Sequence, residues 1–214
     1  MNTLYHYVHC PFCVRVRMAL GFLSTEYKSV VVPYDDEKTP VDLTGVKMLP
    51  IMGLEDGTNM NESLDIIKKF DTKNELDFSL YDKHKDEIEA LLNEIAGPVH
   101  NLCMPYWVWT PEFNEKSRQY FVEKKSKKRG PFNKLVQNRQ AFLKQLVPVL
   151  MKVKNNLHPY FGGDKFTVVD IMIASHLWGL YVFPEFQFPQ DLNMYLQKVK
   201  QLCNFDYHED FWRD

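Results

Sequence analysis

Cys10 and Cys13 stand three residues apart, with Pro11 between them, where a strand-like run gives way to a helix-like one. Thr3 to Tyr7 has the residue types of a first β-strand. Phe12 to Leu23 carries apolar residues at helical spacing through Val16, Met18, Ala19, Leu20 and Leu23. Proline suits the first position of a helix, because the N–H it lacks would be unpaired there and its fixed φ matches. This puts Cys10 at the helix cap and Cys13 one turn in, on a shared face, within disulfide range without backbone distortion. The open N–H groups and the positive end of the helix dipole favour a thiolate on the outer cysteine. Cys10 is therefore the expected nucleophile. Cys13, flanked by Val14 and Val16, is expected to be less accessible and to resolve what Cys10 forms.

Structural zinc would need four ligands, and Cys103 and Cys203 each stand without a partner at motif spacing, so no metal is expected. Four cysteines in 214 residues make no disulfide framework, and the paired thiols point to a reducing compartment. A formal charge of −2 argues against a general nucleic-acid binder. The stretch Val168 to Phe183 is interrupted by Asp170, Ser175 and His176 and reads as a buried core helix, so no membrane association is expected. Met1-Asn2-Thr3 runs straight into the first strand with no basic or long apolar leader; the expected location is cytoplasmic.

Along the chain, Tyr27 to Val32 reads as a second, buried, parallel strand that completes a βαβ unit. A short helix is expected from about Thr39-Pro40 to Gly45. Pro50 inside Met48-Leu49-Pro50-Ile51-Met52 fits a strand start after a cis Leu49–Pro50 bond. Asp56-Gly57 predicts a hairpin pairing Ile51-Met52 with Asn59-Met60, and Asn61 or its neighbour caps a helix carrying Leu64, Ile66, Ile67 and Phe70. From Lys83 on, the patterns are helical: Ile88, Leu91, Leu92, Ile95 and Val99, then Phe132 to Val153 as a helix or pair of helices. Thr167-Val168-Val169-Asp170 fits a capping box, with Asp in place of the commoner Glu, opening an apolar helix from Ile171 to Val182. The expected organisation is residues 1–72 as an α/β domain, 73–84 as a linker and 85–214 as an all-α domain.

Cys10-Pro11-Phe12-Cys13, the apolar residue before proline at Leu49-Pro50, the Glu62-Ser63 pair and the helical second half together resemble the glutathione transferase superfamily. Within it, the chain is most similar to the bacterial type-2 glutaredoxins. The resemblance covers the whole chain, through Gly45 to Ile51, Asn59 to Ile66 and Gly163 to Ile171. It implies a thioredoxin-like N-terminal domain with a four-stranded mixed sheet, and a transferase-like helical C-terminal domain. The activity it implies is that of a monomeric, glutathione-dependent thiol–disulfide oxidoreductase, with protein disulfides and glutathionylated proteins as partners and glutathione as co-substrate. Pro11 and Phe12 would flank glutathione. Leu49 would offer backbone groups to its cysteinyl part as an added strand does. Pro50 would shape that edge, Ser63 would hold the γ-glutamyl carboxylate at a helix start, and Glu62 would receive the α-ammonium. Phe12 departs from the tyrosine common in glutaredoxins and removes a hydroxyl.

Two other readings start from the same residues. A cysteine-type glutathione transferase or dehydroascorbate reductase needs Cys10 and the glutathione site without Cys13; a non-catalytic protein would hold an iron–sulfur cluster through Cys10 and glutathione across a dimer. His9 beside Cys10 reads either as a group that favours the Cys10 thiolate or, by default, as a neutral surface histidine. Arg15 and Arg17 read as sources of positive potential or as solvated helix residues, and Cys103 and Cys203 as semi-buried thiols. Trp107 and Trp109 read as ordinary packed aromatics, with lining of the cleft between domains as the alternative. Lys124 to Arg129 reads as a solvated helix end, and Phe211-Trp212 as a tail packed on the body.

Overall fold

The computed structural model describes residues 1–206. Strand β1 (Thr3–His6) buries Leu4 and His6 on one face, as a period of two requires, and α1 (Pro11–Phe22) follows four residues later. Strand β2 (Lys28–Val31) pairs parallel with β1, with Tyr5 opposite Val30. It is an edge strand and mostly exposed, which corrects the expectation of a buried one: Val30 and Val31 read as interior residues but lie at the open side of the sheet. Helix α2 (Lys38–Thr44) ends at Gly45, whose φ of +78° is the left-handed conformation that favours glycine at a helix C-terminus. The Leu49–Pro50 bond is cis and leads into β3 (Ile51–Gly53). Strand β3 pairs antiparallel with β1 on one side and with β4 (Asn59–Met60) on the other, giving a mixed sheet of order β2-β1-β3-β4. Helix α3 (Ser63–Phe70) buries Ile66 and Ile67 and packs on α1.

The stretch expected as an irregular linker contains helix α4 (Ser79–Lys83) and is tied down. Both Asp71 carboxylate oxygens accept backbone N–H groups, from Glu75 and Leu76, and Leu76, Phe78 and Tyr81 are buried. Helix α5 (Lys85–Trp107) carries the Ile88, Leu92, Ile95, Val99 stripe inward. Helix α6 (Glu115–Arg129) is capped by Asn114, whose side chain accepts the Ser117 N–H. Helices α7 (Phe132–Gln137) and α8 (Arg139–Asn155) are the expected pair, and α10 (Gln190–Leu202) closes the described chain. Helix α9 (Val168–Leu177) is buried along its whole length, opens with the expected capping box and continues as a 3-10 turn through Trp178–Val182. It packs against both α1 and α5, so the helix that carries the cysteines rests on the helical half of the molecule. At Gly21, near the end of α1, a Cβ would stand 2.0 Å from the Cys203 carbonyl oxygen, so only glycine permits this approach of the two halves. Phe211-Trp212 lies outside the described residues. No helix among the described residues is long and apolar enough to cross a membrane.

Candidate active site

Pro11 is the first helical residue of α1 and Cys10 its extended N-cap, so Cys10 sits at an open helix end with Cys13 three residues on. Cys10 is half-buried and Cys13 fully buried. The Cys13 sulfur accepts the Tyr7 N–H at 3.4 Å from beneath. The Cys13 S–H, directed at Cys10, is the largest influence on the outer thiol. Against the cost of burial it joins the N–H groups of Cys13 and Phe12 and the neighbouring His9 in lowering Cys10 to about 6. Burial, then the hydrogen bond to Cys10 and the Cys10 charge, push Cys13 well above the ordinary thiol range. The two sulfurs thus divide into a thiolate facing out and a thiol facing in.

This division has a measurable consequence. With the Cys10 pKa near 6, about ten thiolates stand for every thiol at pH 7. Alkylation of Cys10 by iodoacetamide, followed by mass spectrometry, is expected to rise through a midpoint near pH 6 and flatten above neutrality. A midpoint near that of a free cysteine, about 8.5, would contradict the arrangement.

A cavity of about 250 Å³ opens at Cys10. Of the expected site residues, Cys10, Pro11, Phe12 and Leu49 line it, together with His9 and Trp107; Cys13 is fully buried, and Pro50, cis-bonded to Leu49, is not among the lining residues. Ser63, buried, and Glu62, exposed, stand at the start of α3 and outside this cavity. Phe12 is 47% exposed at the rim, its ring beneath the Arg15 guanidinium at 4.8 Å and edge-on to His176. The far wall comes from the helical half: His100, Met104, Trp107 and Lys125. Lys47 crosses between the halves, donating to the Tyr34 carbonyl at 3.0 Å and the Tyr120 hydroxyl at 3.2 Å. Among the described residues, no group of three or more His, Cys, Asp or Glu side chains is placed to hold a metal ion.

Several sequence readings change here. His9 is a buried residue, packed among Tyr7, Tyr34, Trp107, Phe113 and Phe121, with Nδ1 3.0 Å from the Glu112 carboxylate. Arg15 and Arg17 are buried rather than solvated, and burial brings Arg15 down to about 10. Cys103 and Cys203 are fully buried. Trp107 both packs, stacked on Trp178, and lines the cleft; Trp109 is 72% exposed, outside both core and cleft. Tyr34, Lys47, His100 and Glu112 carry no local signature in the sequence, because each reaches the site through tertiary packing, and Lys125, from the run read as a solvated helix end, lines the cavity instead.

A thioredoxin-like sheet, a cis-proline loop opposite a helix-capping thiolate, and a helical half that roofs the cleft define a redox-active member of the glutathione transferase superfamily. The family model for the glutaredoxin 2 C-terminal domain matches residues 87–210, and that for the glutathione S-transferase N-terminal domain matches residues 4–77. Glutaredoxin 2 of Escherichia coli K12 is 32% identical over 148 residues, 67% of each chain. The structure of glutaredoxin 2 from Salmonella typhimurium in complex with glutathione superposes with a TM-score of 0.86 at 26% identity, covering 99% of this chain and 98% of that one. A glutathione transferase from Phanerochaete chrysosporium, with a TM-score of 0.79 at 16% identity over 96% and 98% of the two chains, shares the fold. The chain belongs to the glutaredoxin 2 family and is an enzyme of the glutathione-dependent oxidoreductase class.

Proposed function

We propose that the protein reduces protein disulfides and glutathione mixed disulfides, with Cys10 as nucleophile, Cys13 as resolving thiol and glutathione as electron donor. The observation that carries this reading is Cys10 at the open end of α1, with Cys13 buried three residues on, in a cavity walled by Leu49 before a cis-proline. In the monothiol route the Cys10 thiolate attacks the glutathione sulfur of a mixed disulfide. The Cys10–glutathione disulfide forms and the protein leaves as a thiolate. A second glutathione thiolate then attacks that bond, freeing Cys10 and yielding glutathione disulfide. In the dithiol route Cys10 attacks a protein disulfide. Once Cys10 is neutral in the mixed disulfide, its thiolate no longer adds to burial in holding the proton on Cys13; Cys13 then gives up that proton and its thiolate attacks the Cys10 sulfur, expelling the reduced protein as a thiolate. Two glutathione molecules reduce the Cys10–Cys13 bridge.

The Salmonella relative binds glutathione, which supports the same ligand here. Glutathione would lie along Leu49 and Pro50 past Pro11 and Phe12, and extend beyond the cavity to the start of α3. There the Ser63 N–H and hydroxyl would take the γ-glutamyl carboxylate and Glu62 the α-ammonium. Residues 1–72 then carry the chemistry, 73–84 connect, and 85–214 roof the site for a monomer acting in the cytoplasm, where glutathione is the thiol reductant. The test is turnover of a small glutathione mixed disulfide with glutathione as donor. Steady reduction is expected; conjugation of glutathione to an electrophile with no reduction would replace this reading with that of a cysteine-type transferase.

A further inference from the structure

Glu112 is separated from Cys10 by a hundred residues of chain, yet its carboxylate closes on the segment that carries the nucleophile. One oxygen accepts the Val8 N–H at 2.9 Å, and the other lies 3.0 Å from His9 Nδ1. The Glu112 and His9 side chains are both more than nine-tenths buried. The loop between α5 and α6 that supplies Glu112 is itself pinned from α6. Arg118 donates Nε to the Val108 carbonyl and Nη2 to that of Phe113, and its guanidinium lies 4.6 Å from the Trp109 ring centre. A carboxylate taken out of water needs charged or strongly donating partners, and a backbone N–H and an imidazole are what this one has.

We infer that Glu112 is a positioning residue for the redox reaction: it fixes the 7–10 turn and orients His9 so that the imidazole supports the Cys10 thiolate. The inference rests on the reading of Cys10 as nucleophile. His9 and Cys10 line the same cavity, and the attraction of His9 is among the influences that lower the Cys10 thiol. The other ionisable groups that act on Cys10 are Cys13, Arg15, Lys125 and the phenols of Tyr7 and Tyr34; around His9 they are Glu112, Tyr7, Tyr34 and His100. Through Glu112 the helical half of the molecule acts on the chemistry as well as roofing it.

The sign of the effect separates this role from a direct one. Removing a buried anion near Cys10 would by itself ease ionisation of the thiol and lower its midpoint. Acting through His9, the same removal frees the imidazole from the placement in which it supports the thiolate, and raises the midpoint. Glu112→Gln keeps the shape and a carbonyl acceptor for Val8. Its midpoint for iodoacetamide alkylation of Cys10, read by mass spectrometry, is expected to rise by about one pH unit, and Glu112→Asp is expected to restore part of the loss. In a His9→Phe background the Glu112→Gln shift should vanish. An unmoved or lowered midpoint in Glu112→Gln, with or without a fall in melting temperature, would overturn the inference, as would an undiminished shift in the His9→Phe background. Alkylation needs no glutathione, so this result stands apart from any failure of the reductase assay.

Discussion

Replacing Cys10 with Ser is expected to lower glutathione-dependent reduction of a small mixed disulfide by more than about a thousandfold, as removal of a nucleophile does when no other group can form the covalent intermediate. The structure provides no substitute: Cys13 is fully buried and held protonated, and Cys103 and Cys203 are sealed in the core. Cys13→Ser should keep monothiol activity within about threefold, because a serine hydroxyl can donate to the Cys10 thiolate where the Cys13 S–H does now, and that donor is the largest of the influences that hold Cys10 near 6. Cys13→Ala removes the donor and is expected to move the alkylation midpoint of Cys10 upward by about one pH unit, a tenfold loss of thiolate below it. Both Cys13 variants should fail on a protein disulfide that requires intramolecular resolution. The series is read by turnover on the two substrates and by the alkylation profile. Retention of mixed-disulfide reduction in Cys10→Ser would transfer the nucleophile to Cys13 and undo the assignment. An unshifted midpoint in Cys13→Ala would remove the hydrogen bond from the account of the low pKa.

The half of the site that lies close together in sequence was legible there. Pro11 after Cys10 fixes a helix start, and a helix start fixes which thiol is exposed and which is covered; geometry at three-residue spacing does the rest. Leu49-Pro50 was legible for a similar reason, since a proline inside an apolar run has few backbone solutions. Edges and depths were not. Tyr27 to Val32 is β-branched enough to read as interior, yet composition does not say on which side of β1 a strand will pair, and β2 took the open edge. His9 is the sharper case. A polar residue beside an N-cap reads as solvated, and only the roof formed by Trp107, Phe113 and Phe121, with Glu112 behind it, makes it a core residue. Arg15 and Arg17 went unread for the same reason: the stripe of α1 is apolar enough to place a helix, but α9 and the chain after α10 cover the faces that would otherwise meet water.

The largest stability effect is expected at Asp170. Its carboxylate accepts the Thr167 N–H at 2.9 Å and the Phe161 N–H at 2.8 Å, and takes the Tyr195 hydroxyl at 2.9 Å, all in a fully buried position at the first turn of α9. Three elements meet on one side chain: the helix it caps, the loop before it and α10. Asp170→Ala leaves two backbone N–H groups and a phenol without their acceptor; at about 1–3 kcal/mol for each buried donor left unpaired, partly relieved by water entering the space, a net loss of about 4 kcal/mol is expected. Asp170→Asn keeps one carbonyl oxygen but turns an amide N–H toward donors, so its loss should fall between alanine and the parent. Urea unfolding with an unchanged slope is the measurement, and an alanine variant within about 1 kcal/mol of the parent would refute the role given to this carboxylate. The effect should reach the active site only through folding. Asp170 lies in the first turn of α9, at the opposite end of that helix from His176, which touches Phe12 at the cavity rim, so folded Asp170→Asn should show the parent's alkylation midpoint while Glu112→Gln should not.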